Sequence, residues 1–252
     1  MIALTASARW SCQDFWRRRR AGTLVAAALA ICSSAHAQNI SGVFGPEIEA
    51  GHKSLEYRIG FDPDTGNVAH RLHAQASLND SWMLRVIAQS RQTETTDLDF
   101  DLLGVQLFWQ VTPDDQDWQS GLRLDARVRD DGRPATLRLD WSNEFRLSES
   151  WRIRVVALGA KEIGDTARNG VFLQTRGQLA YRMDGKRRVG LEIYSDYGST
   201  DDLRAGSEQI QQAGPFATIA VAKDWSLTTE VLLGLTDSSP RANLKLAVTR
   251  QF

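Results

Sequence analysis

From Trp225 to the carboxyl terminus, apolar and polar residues alternate almost without interruption. The odd positions run Trp225, Leu227, Thr229, Val231, Leu233 and Leu235, against Ser226, Thr228 and Glu230. After the turn-forming cluster 236–241, Leu244, Leu246 and Val248 lead to Arg250 and Phe252, against Lys245, Ala247, Thr249 and Gln251. A period of two gives a strand one apolar and one polar face, and two such runs around a turn cluster make a hairpin. Whatever this chain folds into must cover the apolar face of that hairpin.

The same alternation recurs upstream. Strands are expected over about 47–61, 68–78, from 82, about 98–111, from 118, 137–147, from 151, 171–183, 189–197 and 214–222, which with the last hairpin makes twelve. Turn residues punctuate them: Asp62-Pro63-Asp64-Thr65-Gly66-Asn67, Asn79-Asp80-Ser81, residues 112–117, 130–134, Ser148-Glu149-Ser150 and Asp184-Gly185-Lys186-Arg187. Polar loops are expected at 91–97, 164–170 and 198–212. The phase slips between Leu102 and Val105, beside Gly104, which reads as a β-bulge. No helical period and no domain break appear after residue 37.

Trp82, Trp118, Trp151 and Trp225 each follow directly on a turn, and all four open odd-numbered strands. In an up-and-down barrel the odd strands start at one rim, so these rings form a girdle at a membrane interface. A soluble sandwich has no reason to place Trp at alternate turns. Strands near the ~9–11 residues that a tilted crossing needs, and tight turns alternating with longer loops, point the same way. The expected fold is all-β: an antiparallel up-and-down transmembrane β-barrel of about twelve strands. In lipid, closure is obligatory because an open edge leaves backbone groups unpaired.

Residues 1–37 are read separately. A basic block, Arg17 to Arg20, precedes a short apolar run, Gly22 to Ile31, and the small-x-small site Ala35-His36-Ala37. This is the pattern of a secretory signal peptide, so the barrel domain is expected over residues 38–252. The residues after the paired arginines do not match the twin-arginine route, and Ile31 before Cys32 does not suit a lipoprotein site. Both cysteines, Cys12 and Cys32, lie in the leader, which leaves the expected mature chain without a disulfide framework or a cysteine ligand. The leader holds five of the 30 basic residues and one of the 31 acidic ones, leaving 25 against 30 and a net charge of −5, which argues against nucleic-acid binding. A mean hydropathy of −0.34 excludes a helical membrane protein but suits a barrel with a polar lumen.

The closing run, Gly234-Leu235-Thr236, Pro240, and Leu244 through Leu246 and Val248 to Phe252, resembles the last hairpin of Gram-negative outer-membrane β-barrels of the small porin- or transporter-like class. The resemblance implies that Phe252 is an assembly signal read by the barrel-assembly machinery. It also implies passage past periplasmic chaperones and a wall bathed in outer-membrane lipid. An even strand number then puts both termini on the periplasmic side.

The polar face carries the candidate functional residues. Strand 5 directs Arg123, Asp125, Arg127 and Arg129 inward, strand 6 Arg138, Asp140 and Glu144, and strand 7 Arg152 and Arg154. Arg176 on strand 8, Glu192 on strand 9, Glu230 on strand 11 and Lys245 on strand 12 follow, with Glu56, Arg58, Arg71, His73 and Arg85 from strands 1 to 3. Such groups are tolerated only in a wet or mutually paired interior. Two readings stay open. A water-filled lumen with an arginine-rich wall passes small polar solutes, anions by preference. Alternatively arginines and carboxylates interlock, with Arg123/Asp140 and Asp125/Arg138 as cross-strand partners, and the barrel is plugged, with a structural or assembly role.

A third reading is enzymatic. Outer-membrane phospholipases and lipid A deacylases also use about twelve strands, and His52-Lys53-Ser54 places His and Ser two apart on one face. The surrounding residues do not match the phospholipase motif, so no catalytic residue is assigned. His70 and His73 fall on opposite faces, and no phosphate loop or calcium loop is present, so neither metal nor cofactor is expected.

Overall fold

The computed structural model describes residues 40–113 and 115–252; the expected signal peptide, residues 1–37, lies outside the described residues. Twelve strands form the wall: β1 Lys53–Phe61, β2 Val68–Ser77, β3 Trp82–Thr93, β4 Thr96–Gln110, β5 Trp118–Arg129, β6 Ala135–Arg146, β7 Trp151–Ile163, β8 Phe172–Asp184, β9 Arg187–Ser199, β10 Ile210–Ala222, β11 Trp225–Gly234 and β12 Ala242–Gln251. Each pairs antiparallel with its neighbours in sequence. β1 closes on β12 over Ser54↔Gln251 to Phe61↔Leu244. The terminal hairpin thus supplies the last strand of a ring without an edge, which satisfies the backbone of all twelve. A two-residue strand, Asp202–Leu203, folds back on β9.

The polarity of the wall is inverted relative to a soluble protein. On β5, Leu124 is 56% exposed while its neighbour Asp125 is 2% exposed. On β12, Leu244 and Leu246 face outward, and Asn243, Lys245 and Ala247 are buried. An apolar outer surface this continuous is stable only against hydrocarbon.

Short turns owe their tightness to side chains that accept backbone N–H groups. Asn79 Oδ1 accepts from Ser81 at 2.9 Å and from Trp82 at 2.8 Å. Ser148 Oγ accepts from Trp151 at 3.1 Å, and Asp184 Oδ1 from Lys186 at 2.8 Å and Arg187 at 2.7 Å. These turns lie on the rim that also holds the start of β1 and Phe252, called here the Trp rim; the opposite edge is the loop rim.

Three expectations need correction. The polar stretch 91–97 is not a loop: β3 and β4 run on to a tight turn closed by the Thr93↔Thr96 pair, because its side chains can stand in water beyond the wall. The bulge sits not at Gly104 but at Asp101, which is skipped between the pairs Gln89↔Leu102 and Ser90↔Phe100. There Asp101 and Leu102 both turn inward, and Asp101 takes Arg133 Nη1 at 2.6 Å. Finally, β1 begins at Lys53 and not near residue 47. Residues 40–49 leave the wall and run through the interior, where Ile40, Val43 and Ile48 are buried.

Candidate functional site

The interior is the candidate site, and the segment 40–49 is its central feature. At the Trp rim the Ile48 N–H donates to Gln110 Oε1 at 2.6 Å, and Glu47 lies 3.5 Å from Arg146. Deeper in, Ser142 Oγ donates to the Phe44 carbonyl at 2.9 Å. At mid-height the Gly42 carbonyl accepts from Arg176 Nη1 at 3.1 Å and the Ile40 carbonyl from Arg58 Nη1 at 2.9 Å. The Ser41 carbonyl accepts from Lys245 Nζ at 2.7 Å and from the Tyr194 hydroxyl at 3.2 Å. A chain with no strand partner leaves its carbonyls unmet, and the lumen cations meet them.

Packing completes the seat. Val43 enters an apolar pocket of Val156, Leu158, Tyr194 and Leu232, while Ile48 and Phe44 pack on Met83 and Phe108. The Arg123 guanidinium stacks 3.8 Å from the centroid of Phe44. Two glycines make the fit possible. A Cβ on Gly45 would lie 2.6 Å from Arg154 Nη2, and one on Gly121 would lie 2.9 Å from Pro46 Cβ.

Around this segment the charged residues form two kinds of contact. On β5 and β6, Arg123 Nε donates to Asp140 Oδ2 at 2.6 Å, as the register predicts. Arg138 stands opposite Asp125 but bonds along its own strand, to Asp140 Oδ2 at 3.2 Å. Asp125 instead receives a bidentate contact from Arg127, at 2.9 and 2.6 Å. The expected Asp125/Arg138 pair is thus in register but not bonded: the alternate residues of one strand lie on one face and are close enough to take the bonds first. Glu144 is bonded by Arg154, and Glu230 pairs with Lys245 at 2.7 Å. Gln178 Nε2 donates to Glu192 at 2.5 Å, and Tyr194 also donates to Glu192.

Arg58 pairs with Glu56 at 2.6 Å, whereas three further arginines face carboxamides. Arg71 Nε donates to Gln89 Oε1 and Arg85 Nε to Gln75 Oε1, both at 2.7 Å, and Arg176 Nη2 reaches Gln174 Oε1 at 3.3 Å. These side chains border a cavity of about 200 Å³ beside residues 41–44. Its charged lining is Arg58, Arg71, Arg85, Arg123, Arg127 and Arg176 with the carboxylate Glu56. Glu56 pairs with Arg58, and Asp140 and Asp125 pair with Arg123 and Arg127, so the three remaining arginines make its potential positive. A second cavity of about 240 Å³ opens at the Trp rim beside Glu144 and Arg152. Arg129 stands exposed near the loop rim. In the loop 164–171, Arg168 is held by Glu162, whose carboxylate raises the guanidinium pKa above its ordinary value.

Trp82, Trp118, Trp151 and Trp225 all start strands at the Trp rim. The alternation did not single out their companions: Trp109 stacks on Trp82 at 5.5 Å, and Tyr181 lies 4.9 Å from Trp151. Phe252 is 67% exposed there, its N–H donating to the Lys53 carbonyl at 2.9 Å. His52 Nε2 lies 3.2 Å from Ser54 Oγ, but Gln75 Nε2 contests the same nitrogen at 3.2 Å and Glu49 stands 3.8 Å from Nδ1. Gln75 thus competes with Ser54 for the one imidazole nitrogen. Among the described residues one carboxylate group, Asp99, Asp130 and Asp131, is close enough to share a cation, and all three are exposed.

No protein-family model and no curated protein matches the chain. Solved structures do. A KdgM porin aligns with a TM-score of 0.58 at 12% identity, over 79% of this chain and 99% of that one. A NanC porin gives 0.61 at 12% identity, over 79% and 100%. An outer membrane channel from Pseudomonas putida F1 gives 0.62 at 12% identity, over 84% and 100%. At this identity the likeness is one of architecture, and it agrees with the inverted polarity of the wall. The chain is a closed antiparallel barrel of twelve strands with the fold of the outer-membrane channels.

Proposed function

We propose that this protein is an outer-membrane channel for small hydrophilic solutes, selective for anions, and closed at rest by residues 40–49. The observation that carries the reading is the central cavity, where Arg58, Arg123 and Arg127 are paired with Glu56, Asp140 and Asp125 but Arg71, Arg85 and Arg176 are matched to carboxamides that leave their charge in place. A structural interior neutralises its charges; an excess of one sign raises the local concentration of the opposite one. The structural neighbours described as porins and channels support the solute-passing role. In this reading the Trp rim faces the periplasm, the outward rings sit among lipid headgroups, and Phe252 is the residue that the assembly machinery reads.

Planar-bilayer recording on the refolded mature chain tests it. Discrete current steps, with a reversal potential in a salt gradient that favours anions, are expected. A barrel that stays silent after residues 40–49 are removed would end the proposal. A second reading, a plugged barrel with a structural role, draws on the interlocked pairs and the seated segment. It predicts that replacing Arg127 and Arg154 lowers stability and leaves permeability unchanged.

A further inference from the structure

The mouth at the Trp rim holds a charge pattern that folding does not explain. Arg146 stands directly opposite Arg152 across β6 and β7, and Arg182 directly opposite Arg188 across β8 and β9. Like charges opposed in a ladder destabilise it. All four line the 240 Å³ cavity. Three carboxylates, Glu47, Glu144 and Glu149, border the same cavity and leave the arginines in excess. Glu144 is committed to Arg154 and lies 3.7 Å from both Arg152 Nη1 and Arg146 Nε, and Glu47 lies 3.5 Å from Arg146.

Arg152 is the decisive residue. Its side chain is 13% exposed, yet its buried Nε and Nη2 find no hydrogen-bond partner in the protein. Those two nitrogens form the side-on fork of a guanidinium, whose parallel N–H groups match the two oxygens of a carboxylate or phosphate. Ala180, directly opposite Arg152 in the ladder, is a small residue that lines the same cavity.

We propose that Arg152, with Arg182 and Arg188, forms an oxyanion-binding site at the Trp-rim mouth, occupied by the carboxylate or phosphate group of a small solute. Arg152 holds two oxygens and the flanking arginines supply attraction. The inference rests on the channel reading for its physiological sense, as the place where an anionic solute docks at the mouth. Glu47 of the inserted segment borders the same cavity, so an occupant competes with it for Arg146.

The test uses the mature chain folded in an uncharged detergent. Inorganic phosphate is titrated at constant ionic strength and followed by phosphorus NMR line width, with acetate as a competitor. Saturable binding in the millimolar range, about −4 kcal/mol, is expected. Arg152→Gln should weaken it by about tenfold or more, Arg152→Lys by less because the charge remains without the fork, and Arg129→Gln near the loop rim not at all. Gel mobility before and after heating verifies that each variant is folded. Non-saturable broadening, or affinity unchanged in Arg152→Gln, overturns the site and leaves waters as the partners of the fork. Binding seen only with phosphatidylglycerol vesicles, and not with free phosphate, also overturns it by assigning the fork to lipid. Conductance recorded on the same preparations separates the two readings: current without phosphate binding defeats the site alone, and binding without current defeats the channel alone.

Discussion

Two stretches of the inner wall use the same residue for opposite ends. On β5 and β6, Arg123, Arg127 and Arg138 meet Asp125 and Asp140, and both carboxylates are almost wholly buried. On β2, β3 and β8, Arg71, Arg85 and Arg176 meet glutamines. A carboxylate cancels a guanidinium, whereas a carboxamide fixes its direction and leaves its charge in place. The first stretch is a locked panel and the second a standing positive potential. The inserted segment bridges them: Phe44 lies under Arg123 of the panel, and Gly42 takes a bond from Arg176 of the other side. An arginine-rich wall is therefore not one functional surface; the partner of each guanidinium decides what it contributes.

The sharpest way to break this comparison is to neutralise one member on each side. Asp140→Asn strands Arg123 and Arg138 in a buried setting and should destabilise the folded barrel by about 3–5 kcal/mol. Arg71→Gln removes a charge that had no counter-ion and should shift stability by no more than ~1 kcal/mol, in either direction. Urea unfolding in lipid vesicles, followed by tryptophan emission, measures both. Equal losses would mean that the carboxamide side is as structural as the panel.

Deletion of residues 40–49 should have the next largest effect, on current more than on stability. The carbonyls of Ile40, Ser41 and Gly42 are withdrawn from Arg58, Lys245, Tyr194 and Arg176, and the positive side is laid open. Single-channel conductance should rise several-fold and anion preference should increase. An unchanged trace would show that the segment does not obstruct the path. A smaller change is expected from the triple variant Arg71→Gln, Arg85→Gln, Arg176→Gln in the intact chain. Its reversal potential should move toward no preference, while Arg138→Gln should move it little because Asp140 already offsets that charge.

The wall was legible in the sequence because lipid and lumen impose opposite demands on alternate residues; Leu124 beside Asp125 announces both its strand and its facing. The inserted segment was not. Gly42, Gly45 and Pro46 break the alternation before β1, but its partners, Ser142, Arg176, Tyr194 and Lys245, lie 98 to 204 residues away. Alternation of period two does not mark a chain that pairs with side chains instead of a strand, so the pattern extends the first strand back to about residue 47 where β1 begins at Lys53. Within the site, the register fixed that Arg138 faces Asp125. It did not fix the bond, because Asp140 on the same face of β6 competes for that guanidinium and Arg127 for that carboxylate. The three glutamines that divide the wall, Gln75, Gln89 and Gln174, are ordinary polar positions in the sequence, and only the placing of their oxygens against arginine nitrogens distinguishes them.

The smallest effect is the most discriminating, because it separates charge from bonding at one residue. Arg176→Lys keeps a cation beside the central cavity but cannot hold both the Gly42 carbonyl and Gln174 in the geometry of a planar fork. The loss of about one neutral-acceptor hydrogen bond should cost ~1 kcal/mol in unfolding free energy. If the potential of the carboxamide side comes from charge alone, the reversal potential of Arg176→Lys should match the parent. Openings should become more frequent, since one of the bonds seating residues 40–49 is gone. If selectivity falls as far as it does in Arg176→Gln, solutes are being recognised by the directed N–H groups of Arg176, and the carboxamides serve to aim those groups as well as to leave them charged.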